Sequence, residues 1–244
     1  MNETSLNHEL RTALNAILGY TQLLQLEQTN NLNTEQAFQV EKISEAGTHL
    51  LNLTNQILDL SQIESNKMKL TLVNTAITAP LNEALGLLQP QIDAKNIEVV
   101  LGENPLFTVQ ADKLKLKQVF LNFLSNAIKY NKDNGHIYID IDQTEDDKFI
   151  RIAISDTGLG IPEQYHSKIF SAFMRAGQEK SEIDGTGIGL LVTKNLVELM
   201  HGRTGFESTE GIGSTFWCEL PRESEIAEEV VEQESKDNNK SLFF

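Results

Sequence analysis

The sequence predicts two folds in series: an all-α helical hairpin, paired with a second copy as a four-helix bundle, and then an α+β two-layer sandwich. Three observations point there. Residues 1–79 hold no proline and only Gly19 and Gly47, whereas ten of the fifteen glycines fall between Gly158 and Gly213. Two heptad-spaced apolar series fill the first part, and from Leu70 helical and alternating patterns interchange. With 244 residues and 40% apolar content the chain can fill real cores. It divides as 1–66, 67–221 and 222–244.

In the first series Leu6, Leu10, Ala13, Ile17, Tyr20 and Leu24 form a seam on one helix; in the second, Ile43, Ala46, Leu50, Leu53, Ile57 and Leu60 do the same. Asn33 or Thr34 offers the N-cap between them. A two-helix hairpin cannot cover both stripes, so a homodimer is expected, with packing of the hairpin onto the second domain as the alternative. Further on, 78–95, 111–130 and 188–200 read as helices, and 97–101, 136–142, 148–155 and 214–220 as strands, with the helices against a mixed or antiparallel sheet. Residues 222–240 are acidic and lack aromatics, as a disordered tail or linker does.

Composition excludes several classes. Thirty-five acids against 20 bases give a net charge of −15, which argues against direct nucleic-acid binding. No apolar run reaches the length of a membrane span. Cys218 is the only cysteine, so no intramolecular disulfide can form, and a cytoplasmic setting fits.

Three stretches carry chemistry. On the helix 118–131, Asn122, Asn126 and Lys129 share one face; carboxamide oxygens suit Mg²⁺ and a lysine suits phosphate. Taken alone, such asparagines are more often surface or capping residues. Asp156-Thr157-Gly158-Leu159-Gly160-Ile161-Pro162 follows an apolar strand: the glycines let backbone approach a flat ligand, and Asp156 can accept from an exocyclic amine, as on adenine. A tight turn capped by Asp156 is the bland alternative. Gly185-Thr186-Gly187-Ile188-Gly189-Leu190 then opens a helix, whose bare N–H groups suit phosphate. No strand precedes it and no Lys-Ser/Thr follows, so the Rossmann and P-loop readings fail. Residues 169–185, polar and loop-like after Phe173, read as a lid.

The order NxxxN (122–126), DTGLGIP (156–162), IFSAF (169–173), GTGIGL (185–190) and GIGSTFWCELP (211–221) resembles the N, G1, F, G2 and last-strand boxes of the Bergerat-type ATP-binding domain of sensor histidine kinases. The string HELRTAL (8–14) resembles the phosphoacceptor box of their dimerisation domain, and the likeness covers roughly 5–221. It implies ATP and Mg²⁺ as cofactors, Asn126 as metal ligand with Asn122 beside it, and Lys129 and Tyr130 on phosphate and adenine. It further implies Asp156 on the adenine amine, Gly158 and Gly160 on the ring, and Gly187 and Gly189 on phosphates. Ile161, Gly185, Thr186, Ile188, Leu190 and Thr215 complete the nucleotide contacts, and Arg175 reaches the γ-phosphate. Related hydrolases place a glutamate where this chain has Asn122; an amide cannot activate water, so transfer to a side chain is favoured.

His8 is the expected acceptor. In the heptad phase set by Leu6 and Leu10 it points away from the seam, Glu9 can hold one imidazole proton, and Thr12 lies one turn on. The resemblance implies passage of the phosphoryl group to an aspartate of a response-regulator receiver, with Thr12 serving an opposing receiver-phosphatase activity. Ala13 stands where the family usually has proline, so no kink is imposed there. Only seven residues precede His8, so a missing upstream input module is expected, through which a parent protein could be membrane-anchored. Two rivals are a nucleotide-sensing scaffold and a kinase acting on a partner's serine.

Overall fold

A computed structural model of the chain describes residues 3–26, 32–102, 107–174 and 186–222, with side chains from Leu10 onward. Two compact units divide between Met68 and Lys69. The first is a hairpin of α1 (Glu3–Gln25) and α2 (Thr34–Glu64). Asn33 caps α2: its side chain accepts from the Gln36 N–H, and the Gln36 side chain accepts from the Asn33 N–H in return.

Between the two helices the contact is narrow. Leu14, Thr21 and Val40 are buried, and a Cβ added to Gly47 would stand 3.0 Å from Leu18, so a small residue there sets how closely the helices approach. Arg11 donates to the Asn55 side chain at 2.8 Å. The heptad seam faces elsewhere: Leu10, Ile17, Tyr20, Leu24, Ile43, Leu50 and Ile57 remain 38–69% exposed in the single chain. The hairpin thus buries one stripe and leaves a second, apolar one open.

The second unit carries β1 (Val73–Ala76), α3 (Thr78–Ala94), β2 (Glu98–Leu101), β3 (Thr108–Ala111), α4 (Lys113–Lys129), β4 (His136–Gln143) and β5 (Phe149–Asp156). A 3-10 turn over Glu163–Lys168, α5 (Gly189–Leu199), β6 (Arg203–Thr209) and β7 (Gly213–Pro221) follow. Five strands run in the order β2-β4-β5-β7-β6, antiparallel except for the parallel β2–β4 pair. β1 and β3 form a separate antiparallel pair that the sequence pattern does not announce.

Alternation in β4 and β5 puts Ile137, Ile139, Ile141, Ile150, Ile152 and Ile154 on one face, each at most 2% exposed. Full burial of such a side chain is worth about 1.5–3 kcal/mol. Phe216 and Leu220 of β7 join that layer, and Leu116, Val119, Phe120, Phe123 and Leu124 of α4 cover it. On the opposite face the register aligns Arg151, Glu219 and Arg203 across three strands. Glu219 is 1% exposed there, taking Arg151 Nε at 2.6 Å on one oxygen and Arg203 Nε on the other.

Candidate functional site

Helix α4 is fixed at both ends. Asp112 caps its start, accepting from the Leu114 and Lys115 N–H groups at 3.0 and 3.1 Å. At its end the Lys95 ammonium, from just after α3, donates to the carbonyls of Ile128, Lys129 and Asn131 at 3.0, 2.9 and 3.2 Å. A cation there meets the negative end of the helix and fills its last acceptors. With the apolar stripe of α4 turned to the sheet, Asn122 and Asn126 are left half-buried on another side. The Lys129 ammonium lies 5.0 Å from the centre of the Tyr130 ring.

Asn122 meets α5. Its Nδ2 donates to Thr193 Oγ1 at 2.7 Å, and a Cβ on Gly189 would fall 2.3 Å from its Oδ1. Glycine at the first residue of α5 is therefore what lets the two helices touch through this carboxamide. Ile188, which precedes it, supplies no side-chain cap, so among the described residues no side chain caps the first N–H groups of α5, an arrangement that suits an anion. Asn126, one turn along α4, makes no side-chain hydrogen bond among the described residues.

The loop after β5 packs on the end of α4. Leu159 N–H donates to the Tyr130 carbonyl at 3.0 Å, and a Cβ on Gly158 would come within 2.2 Å of that oxygen. Gly160 takes φ +64° against the Thr209 carbonyl, a position that only glycine fills without strain. Ile161, buried, donates its N–H to Ser208 Oγ at 2.8 Å. Asp156 lies half-buried at the end of β5. Burial pushes its carboxyl up from 3.8 to about 6, against the N–H bonds of Gly158, at 2.8 Å, and Ser214, which favour the charged form.

Thr215 does not join this group. β5 and β7 pair Asp156 with Ser214 and Ser155 with Thr215, and paired residues share a face. Thr215 therefore turns to the far face of the sheet, where its hydroxyl meets that of Ser155 at 2.8 Å. The last-strand residue beside Asp156 is Ser214, 7% exposed, its hydroxyl 2.9 Å from that of Ser208. The expectation for Thr215 is one place out of phase.

Gly187, at φ +68°, sits against the Phe173–Met174 backbone, and Phe173 itself adopts φ +61°. Thr186 Oγ1 accepts from the Ile188 N–H at 3.2 Å; Ile188 is fully buried and Leu190 half-buried. An aromatic run, Phe123–Phe216–Phe206–Phe170, links α4 to this region with centroid spacings of 5.7–6.0 Å. Arg175, Gly185 and most of the expected lid lie outside the described residues, as do the 27–31 connection and 223–244. His8 and Glu9 fall on α1, their side chains outside the described set, and Thr12 is exposed on the same helix.

The structure thus gathers Asn122, Asn126, Lys129, Tyr130, Asp156, Gly158, Gly160, Ile161, Thr186, Gly187, Ile188, Gly189 and Leu190 around the contacts of α4 with the β5 loop and α5. Sequence reasoning missed Thr193, Ser214 and Lys95. For Thr193 the one available signal is a hydroxyl inside an otherwise apolar helical run. The donor set suits a hard cation held through carboxamide oxygen, phosphate and water: among the described residues no three His, Cys, Asp or Glu side chains cluster as metal ligands. The open N–H groups of α5 and the acceptor at Asp156 suit an adenine nucleotide.

This fold and these loops define a nucleotide-binding domain of the Bergerat type. Residues 111–224 match the family of histidine kinase-, DNA gyrase B-, and HSP90-like ATPases, and residues 4–66 match the His Kinase A (phospho-acceptor) domain. With both in one chain, these are the two domains of a sensor histidine kinase core. It is 36% identical over 93% of its length to the sensor protein GacS of Pseudomonas syringae pv. syringae, and 35% identical over 96% to the circadian input-output histidine kinase CikA of Synechococcus elongatus. It covers 26% and 31% of those two proteins, so the chain spans between a quarter and a third of these relatives. The crystal structure of full-length ShkA in complex with AMPPNP superposes with a TM-score of 0.73 at 32% identity, over 90% of this chain and 45% of that one. Among the described residues no helix is long and apolar enough to cross a membrane.

Proposed function

We propose that the chain transfers the γ-phosphoryl group of ATP to its own His8, and that the group then passes to an aspartate of a response-regulator receiver domain. The observation that carries this is Asn122, an amide held between Thr193 and Gly189 at the position where the related hydrolases place a water-activating glutamate. Such a site can grip a triphosphate without delivering hydroxide to it. The assignment divides the chain into a phosphoacceptor hairpin (1–66), a catalytic domain (67–221) and an acidic linker (222–244).

Adenine is read by Asp156, whose carboxylate accepts from the exocyclic amine while Gly158 and Gly160 keep the loop close to the ring. The open N–H groups at Gly189 and Leu190, with Lys129 and Arg175, hold phosphate charge. Asn126 and Asn122 would hold Mg²⁺, which supplies charge neutralisation across the phosphates. A lone pair of the His8 imidazole forms the new N–P bond as the bridging P–O bond breaks and ADP leaves. Glu9 takes the proton on the other ring nitrogen. Thr12, one turn along α1, is placed to orient water for a receiver-phosphatase reaction.

Homodimerisation is supported by the open apolar stripe of the hairpin, which would close against its copy. ATP as donor and a lone, buried Cys218 suit the cytoplasm. Incubation with γ-labelled ATP and Mg²⁺ tests the reading. An acid-labile, alkali-stable label on the chain, absent from His8→Gln, is the expected result; a label that survives that substitution, or none on wild type that binds nucleotide, rules it out.

A further inference from the structure

We propose that Thr193 is a positioning residue for metal-nucleotide binding, acting through Asn122; this deepens the kinase reading and rests on it. Thr193 lies on α5, facing α4, and is 2% exposed. Its hydroxyl is the one described partner of the Asn122 carboxamide, which donates to it through Nδ2 at 2.7 Å. That bond anchors the carboxamide against α5 and restrains its rotation. With Nδ2 committed to Thr193, Oδ1 is turned to the first residue of α5, where the missing Cβ of Gly189 leaves it room.

An amide is an asymmetric ligand. Its oxygen attracts a cation or a metal-bound water, whereas its NH₂ end repels one. Without the hydroxyl the carboxamide can rotate and present either end. Thr193 acts in this arrangement only through Asn122, whose carboxamide it anchors with Oδ1 toward Gly189. The α4–α5 contact at Asn122 and Gly189 thereby becomes a specificity element for the Mg²⁺ complex over free nucleotide.

Thr193→Val keeps the shape and removes the hydroxyl, and Thr193→Ser restores it. Binding of ATP is measured by calorimetry with Mg²⁺ and with EDTA, beside the melting temperature of each variant without nucleotide. Loss of one buried hydrogen bond of this kind weakens binding about fivefold. That loss is expected for Thr193→Val with Mg²⁺ only, with near-wild-type affinity in EDTA and for Thr193→Ser. In an Asn122→Ala background Thr193→Val is expected to have no further effect. Equal losses with and without Mg²⁺, or an undiminished effect in the Asn122→Ala background, overturn the proposal in favour of a packing role. Wild type that binds no nucleotide overturns the kinase reading together with it, whereas wild-type binding matched by Thr193→Val overturns this inference alone.

Discussion

Replacing Asp156 with asparagine tests the proposal that its carboxylate reads adenine. The Asp156 carboxylate already accepts the Gly158 N–H on Oδ1 at 2.8 Å and the Ser214 N–H as well, and it must still offer a lone pair to the ligand's amine. Asparagine has one oxygen for these tasks. Its NH₂ must face either a backbone donor or the adenine amine, so a hydrogen bond to a charged acceptor is lost, worth about 1.5–3 kcal/mol, and affinity for ATP should fall roughly 10- to 100-fold. Stability should move differently. Burial raises the folded carboxyl above its unfolded value, so without nucleotide the domain loses stability as pH rises from about 4 to about 6, by at most about 3 kcal/mol. Asp156→Asn removes that dependence and should melt no lower than wild type at pH 8. Nucleotide affinity of the wild type, which needs the ionised acceptor, should drop about tenfold between pH 7 and pH 5 if its pKa is about 6, and the variant's should be flat. Calorimetric titration across pH, paired with thermal melts, measures both. A variant that binds ATP as tightly as wild type would refute the account of Asp156.

Two further outcomes concern the scaffold. Glu219→Gln leaves Arg151 and Arg203 without their shared, buried carboxylate; both arginines reach solvent, so the cost should be about 2 kcal/mol rather than the larger loss of a fully buried pair, and an unchanged urea midpoint would contradict it. Ile17→Asp puts a charge on the open stripe of the hairpin, where Ile17 is 45% exposed in the single chain, and should turn a dimer into a monomer in sedimentation without unfolding either helix. Persistence of the dimer would place the interface elsewhere.

Much of the second unit was legible because its strands alternate cleanly. HIYIDID and KFIRIAIS each set isoleucines on one face, and the observed strands His136–Gln143 and Phe149–Asp156 follow that pattern. The short pair β1–β3 was not, since VNTA and TVQA hold too few apolar residues to show a period. β6 was hidden by Gly205, which a strand reading discounts; here a Cβ at that position would strike the Trp217 ring. Thr215 failed for a different reason. A strand reading gives the alternation but not its phase, and one residue's shift exchanges Ser214 and Thr215 between faces. In the hairpin, apolar periodicity found the open stripe and overlooked the closed one, because the latter depends on Gly47 and Thr21, which carry no apolar signal.

The lysine that clasps the end of α4 has a practical corollary. Lys95 stands outside the stretch 111–224 that carries the ATPase likeness, and so does β1, which completes the small sheet with β3. A fragment trimmed to that stretch would leave the carbonyls of Ile128, Lys129 and Asn131 without their cation and would lack the small sheet, keeping only Ala111 of β3. Anyone isolating the ATP-binding half should cut near Lys69, where the chain itself changes units.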